Sequence, residues 1–218
     1  PILNSRRTDF CPALYGDEWD QLYLSTTRPQ ASGNEMSGIT GMKAGDLFLS
    51  KKDEKGKWQA PEALEPEVNS EYDEDACCFS PDGKTMYFTR CGHDPSYPRY
   101  AQIYTSSRSD ASWGKPTLLE ISKDTLSSYA HPAVSPDGHW LYFVSDMPGG
   151  LGGLDIWRIA ITDGGLGGVE NLGEPINSEG DEMFPVFRPN GDLYFSSNGH
   201  VGMGGLDIFC AKQDSTEH

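Results

Sequence analysis

The sequence has little of what most function classes require. No run approaches the roughly 18 apolar residues of a membrane-spanning helix. Cations are scarce: 17 Lys and Arg face 33 Asp and Glu, for a formal net charge of −16. That balance repels phosphate backbones and excludes general nucleic-acid binding. Cysteine is confined to Cys11, Cys77, Cys78, Cys91 and Cys210. The odd count leaves at least one free thiol, and no C-x-x-C spacing offers a thiolate metal site or redox pair. Adjacent Cys77 and Cys78 point to opposite faces of a strand, so buried structural thiols are expected. His93, His131, His139, His200 and His218 show no H-E-x-x-H spacing. No Gly-x-Ser-x-Gly elbow occurs either. No metal, cofactor or catalytic residue is expected. The stretch Pro1 to Arg7 lacks the apolar core of a signal peptide, as a mature chain or an excised fragment would.

Glycine and proline, by contrast, are plentiful at 25 and 15 residues. So many turn-formers exclude a helical bundle, and 11% aromatics argue against disorder. They fall in a repeat. Cys77-Cys78-Phe79-Ser80-Pro81-Asp82-Gly83 leads into Met86-Tyr87-Phe88. Pro132-Ala133-Val134-Ser135-Pro136-Asp137-Gly138 leads into Leu141-Tyr142-Phe143, and Pro185-Val186-Phe187-Arg188-Pro189-Asn190-Gly191 into Leu193-Tyr194-Phe195. A weaker copy runs from Pro12 to Leu24. Asn4-Ser5, Asn69-Ser70, Asp124-Thr125 and Asn177-Ser178 keep phase before these segments. Asp46-Leu47-Phe48, Gln102-Ile103-Tyr104, Asp155-Ile156-Trp157 and Asp207-Ile208-Phe209 keep it after them.

Each unit reads as four short strands, a to d. In Ser-Pro-Asp-Gly, proline presets the first turn residue, aspartate bonds nearby backbone and glycine takes positive φ. Strand a precedes this turn, strand b follows it, and the Asp-Ile-aromatic run opens strand c. Whole-unit repetition of such sheets predicts an all-β β-propeller, with blades at about 4–68, 69–123, 124–176 and 177–218 in one domain. A β-sandwich does not repeat its whole sequence in this way. Phe209 lies nine residues before His218, where strand d starts in the sister units, so the fourth blade is expected to have three strands. The strand a segments carry Cys11 to Leu14, Ala76 to Phe79, His131 to Val134 and Phe184 to Phe187, with acids only upstream. That arrangement weighs against a propeller glycosidase, which needs paired carboxylates at the channel.

These motifs resemble the WD40-like repeat called PD40, found in TolB-type propellers and in outer-membrane-associated OmpA-family proteins of Bacteroidetes. Thr27-Arg28, Ser37 to Gly41, and Asn177 to Pro185 are most similar to PorE-like components of the type IX secretion system. The resemblance covers essentially the whole chain. It implies a periplasmic interaction platform docking other proteins of a secretion complex. Peptidoglycan contact would belong to a separate domain that has no counterpart here. A TolB-like or glycan-binding propeller is the alternative, with a glycosidase behind it.

Gly149 to Asp155 superficially resembles a calcium β-roll, but an extra residue separates its glycines from Asp155 and the copies are not in tandem. A tight b–c connection is expected instead, with Asp155 and Asp207 capping loop amides. Asp46 takes the same place in the first unit. The repeat scaffold therefore rests on Asp82, Gly83, Asp137, Gly138, Asn190, Gly191, Asp46, Asp155 and Asp207. In a propeller the d–a and b–c loops emerge at one end. Those loops carry Glu71, Asp73, Glu74, Glu179, Asp181 and Glu182, with Arg28, Lys43, Arg90 and Arg99 in the first two units. This end is the candidate partner-docking face, read against the alternative that such charges merely solvate loops.

Overall fold

The hairpin turns set the register of the sheets. Ser80 donates its amide to the Thr85 carbonyl at 2.9 Å, and Gly83, at φ +66°, donates to Ser80 at 2.8 Å. Ser135 and Gly138 repeat the pattern at 2.9 Å each, with Gly138 at φ +76°, and Gly191 turns the fourth hairpin at φ +88°. Asp82 accepts from the Lys84 amide and the Ser80 hydroxyl, as Asp137 does from His139 and Ser135. The glycines are required because a β-carbon disfavours this left-handed backbone.

The computed structural model describes residues 2–16, 18–31, 44–92 and 101–212. Lys43, His93, Arg99, His218 and the Ser37–Gly41 stretch lie outside the described residues. The chain is an all-β β-propeller of four antiparallel blades, divided into two compact units, Pro1–Leu119 and Glu120–His218. In the first unit, β1 (Asp9–Tyr15), β2 (Gln21–Thr26), β3 (Asp46–Lys51) and β4 (Glu62–Ala63) form one sheet in chain order. Strands β5 (Asp73–Phe79), β6 (Thr85–Cys91), β7 (Ala101–Ser107) and β8 (Thr117–Leu118) form the next. In the second unit, β9 (Tyr129–Val134), β10 (Trp140–Ser145), β11 (Asp155–Thr162) and β12 (Gly165–Asn171) form the third. Strands β13 (Glu182–Phe187), β14 (Leu193–Ser197) and β15 (Asp207–Ala211) form the fourth, which has three strands among the described residues.

Alternation along the strands buries one set of side chains per unit. Tyr23, Leu47, Val68, Cys77, Met86, Phe88 and Trp113 make the core of the first, and Val144, Ile156, Leu193 and Phe195 that of the second. Each such side chain contributes roughly 1.5–3 kcal/mol by leaving water. All five thiols are free; Cys77 is a core residue, and burial pushes its thiol far above the ordinary range.

The inner strands share one irregularity. Cys11, Ala76, His131 and Phe184 occupy the same repeat position, and all have φ between 43° and 55°. Each sits in a register break, between Phe10 and Ala13 in β1 and between Asp75 and Cys78 in β5, for example. A β-bulge is thus built into every blade, and proline follows it in three, where no ladder amide is needed. The inner strands also start earlier than the sequence suggests. Asp9, Asp73, Glu74, Asp75 and Glu182 lie inside β1, β5 and β13, rather than upstream of them.

Candidate functional site

The expected acidic face divides into buried and exposed parts. Glu74 and Glu182 are fully buried and are not surface charges, a correction to the sequence-based docking set. Each lies opposite the end of strand b and is clasped by the serine four residues earlier. Ser70 donates its amide to Glu74 at 3.0 Å and its hydroxyl at 2.5 Å; Ser178 does the same to Glu182 at 2.8 and 2.5 Å. Asp9 holds the equivalent place in β1, with Ser5 donating at 2.6 and 3.2 Å. A strand b residue or the loop after it supplies a further partner: Arg28 to Asp9 at 3.1 Å, Arg90 to Glu74 at 2.7 Å, and Ser197 to Glu182 at 2.6 Å. Arg28 and Arg90 are therefore internal counter-ions, also corrected from the docking face.

The clasps hold their protons differently. Burial pushes Glu74 up to about 7, against the opposing pull of Ser70 and Arg90. Burial would also raise Asp9, but hydrogen bonds from Ser5, Thr26 and Arg28 outweigh it and hold the carboxyl below its usual range. These oxygens accept from backbone and side-chain donors, so the clasps brace strand a.

Asparagine makes a second brace. Asn69 accepts from the Leu47 amide and donates to the Leu47 carbonyl, both at 3.0 Å. Asn177 does the same to Ile156 at 2.8 and 2.9 Å. The asparagine side chain thus mimics a strand residue, tying these two d–a loops to strand c of the preceding blade.

The remaining expected residues fall as follows. Asp73 accepts from the Gly45 amide at 2.7 Å, and Asp181 from Leu154 at 3.0 Å, so both are half-buried loop ties. Asp155 accepts from Leu151 and Gly152, and Asp207 from Met203 and Gly204. Asp46 is fully buried at the start of β3. Asn190 accepts from the Asp192 amide at 3.2 Å. Glu71 and Glu179 are exposed.

At the d–a and b–c end of the second unit, several large apolar side chains are exposed among polar ones such as Lys123, Glu174 and Glu179. Leu126 and Leu151 stand out from loops of the third blade, and Val201, Met203 and Leu206 from the b–c loop of the fourth. Close backbone contacts join the loops of the third and fourth blades at this end. Gly153 donates to Gly180 at 2.9 Å, and a β-carbon on Gly152 would lie 2.1 Å from the Gly180 oxygen. Charge reasoning missed these residues; the signal was Val201, Met203 and Leu206 among glycines, where a solvated loop would carry polar side chains.

No protein family description matches the chain, and no curated protein does. Solved structures do. An α-L-arabinofuranosidase from Lactobacillus brevis is 11% identical over 95% of this chain and 73% of its own, with a TM-score of 0.55. A GH43 endo-arabinanase from Bacillus licheniformis is 11% identical over 95% and 74%, at 0.54. A protein described as TolB from Agrobacterium tumefaciens is 21% identical over 94% and 82%, at 0.49. At these identities the likeness is one of fold alone.

Proposed function

We propose that the chain is a non-enzymatic protein-interaction module of a periplasmic, outer-membrane-associated protein that works in type IX secretion. The observation that carries the interaction reading is the apolar loop end of the second unit. Val201 and Met203 are 100% and 99% exposed on a loop whose Gly199 end abuts the Gly180 backbone and whose Met203 and Gly204 amides donate to Asp207. Apolar groups fixed in solvent beside acids such as Glu179 have the make-up of a docking surface, an apolar centre with a polar rim. The secretion and envelope assignment draws on the resemblance of the repeat motifs. The non-enzymatic reading is supported by the clasped carboxylates Asp9, Glu74 and Glu182, whose oxygens already serve the fold.

The test is recovery of partners from the native envelope with tagged protein, compared between wild type and the double variant Val201→Asp/Met203→Asp. The wild type is expected to retain proteins of an outer-membrane secretion assembly and the variant to lose them at an unchanged unfolding midpoint. Equal recovery by both proteins, or no envelope protein with either, would overturn the reading.

A further inference from the structure

The end of the first unit formed by its a–b and c–d connections holds a cleft of about 420 Å³, with Lys51, Lys84 and Arg108 among its lining residues. Three cations around one cleft are conspicuous in a chain of net charge −16. Among the described residues, none of the three has a carboxylate within ion-pair distance, whereas Arg28, Arg90 and Arg158 all do. Arg108 is also held in place. Its Nε donates to the Gly83 carbonyl at 2.8 Å, and its guanidinium lies 4.4 Å from the Trp113 ring centroid and 5.5 Å from that of Tyr15. A fixed planar fork between two lysines is suited to carboxylates. The acids at the rim are partly committed: Asp82 accepts from the Ser80 hydroxyl and the Lys84 amide, and Asp110 from the Ser112 amide.

A second observation concerns the turn that leads into Gln21 of the cleft lining. Trp19 occupies the repeat position held by Gly83 and Gly138, and it keeps their left-handed backbone at φ +51°. A tryptophan in a glycine's conformation is disfavoured, yet its indole is 49% exposed instead of packed. Two residues on, Gln21 lines the cleft, and Lys52 ties the turn by donating to the Asp20 and Glu18 carbonyls.

We infer that this cleft binds an acidic segment of a protein partner, whose carboxylates meet Lys51, Lys84 and Arg108 and whose apolar side chain packs on Trp19. Separated single charges match cations spread around a cleft, while a compact phosphate would meet Asp82 and Asp110 and gain nothing from the indole. The site goes beyond the apolar docking end and stands without it.

The test is calorimetric and indole-fluorescence titration with the blocked pentapeptide Glu-Glu-Phe-Glu-Glu, its glutamine analogue, and inorganic phosphate. The glutamate peptide is expected to bind at least about 10-fold tighter than the glutamine one, and to weaken as salt rises and screening shortens. Lys51→Gln/Lys84→Gln should cost about 10-fold in affinity, at about 3-fold per exposed charge. Trp19→Gly should cost a similar single step without lowering the unfolding midpoint, because it restores the residue of the sister turns. Equal affinity for the two peptides, or indifference to the lysine pair, would overturn the proposal. Phosphate displacing the peptide at equal strength would overturn it too, in favour of a small-anion site. The lysine variant leaves Val201 and Met203 intact, so its envelope recovery reports separately on the docking reading.

Discussion

Substituting Gly83 by alanine tests the turn chemistry and the packing around it together. Two penalties add at this position. The left-handed backbone, at φ +66°, costs a β-carbon about 1–2 kcal/mol. The new methyl would also lie 1.5 Å from the Tyr15 hydroxyl oxygen and 2.4 Å from the ring carbon bearing it, so the ring must move. That ring packs on Phe79 at 4.8 Å between centroids and lies under the Arg108 guanidinium, so displacement carries an overpacking cost of about 1–3 kcal/mol. The expected total is about 2–5 kcal/mol. Gly56 supplies the control, with φ at +72° and nothing within 4 Å of its would-be β-carbon, so alanine there incurs only the backbone part. Urea unfolding followed by tryptophan emission measures both, with the slope checked for constancy. Tyr15→Phe removes the nearest clashing atom and should return about 1 kcal/mol of the Gly83→Ala loss in a double-mutant cycle. If Gly83→Ala costs no more than Gly56→Ala, the Tyr15 contact is wrong and the packing argument fails.

Two further outcomes follow from the braces. Glu74 binds its proton more tightly folded than unfolded, so its contribution to stability is complete below about 4.5 and is lost as pH rises towards about 7. Glu74→Gln removes that slope, so the stability of wild type relative to the variant should fall as pH rises across this window; a relative stability that rises with pH would refute the buried-carboxyl argument. Asn177→Ala leaves the Ile156 amide and carbonyl without their side-chain partner and should cost about 1–3 kcal/mol, measured by urea unfolding. A loss below half a kcal/mol, roughly that of an ordinary surface change, would show that the asparagine is not a brace.

The turns were legible because their chemistry is local: Pro81 and Pro136 preset one torsion, and Gly83 and Gly138 permit another. Burial of Glu74 was hidden because it sits in a charge-dense run, Glu71-Tyr72-Asp73-Glu74-Asp75, where composition suggests a solvated loop. Partners from distant strands decide it, and these are visible only as a phase relation: a serine four residues before each acid and an arginine or serine at the end of strand b or just after it. The exposed apolar end was missed for a related reason. Its side chains are few, and only the folded loops reveal that they stand exposed. Trp19 required aligning the weakest repeat by Tyr23, since its turn lacks the Ser-Pro-Asp-Gly lettering.

The bulges have a consequence for how near-identical repeats assemble. Proline's ring fixes φ near −65°, and Pro12, Pro132 and Pro185 each follow a left-handed residue directly. Sliding the bulge one residue towards the C-terminus would force that proline into a torsion it does not adopt. Three blades therefore carry a frame marker that rejects this slip during pairing. In the second blade Cys77 stands in that place, and its frame rests on side-chain alternation alone. Because the marker has the same phase in each repeat, it specifies the frame and not the partner: an inner strand from one repeat fits the hairpin of another without offset. Errors in folding this chain are thus expected as exchanges of whole strands between repeats, each paired in the correct frame.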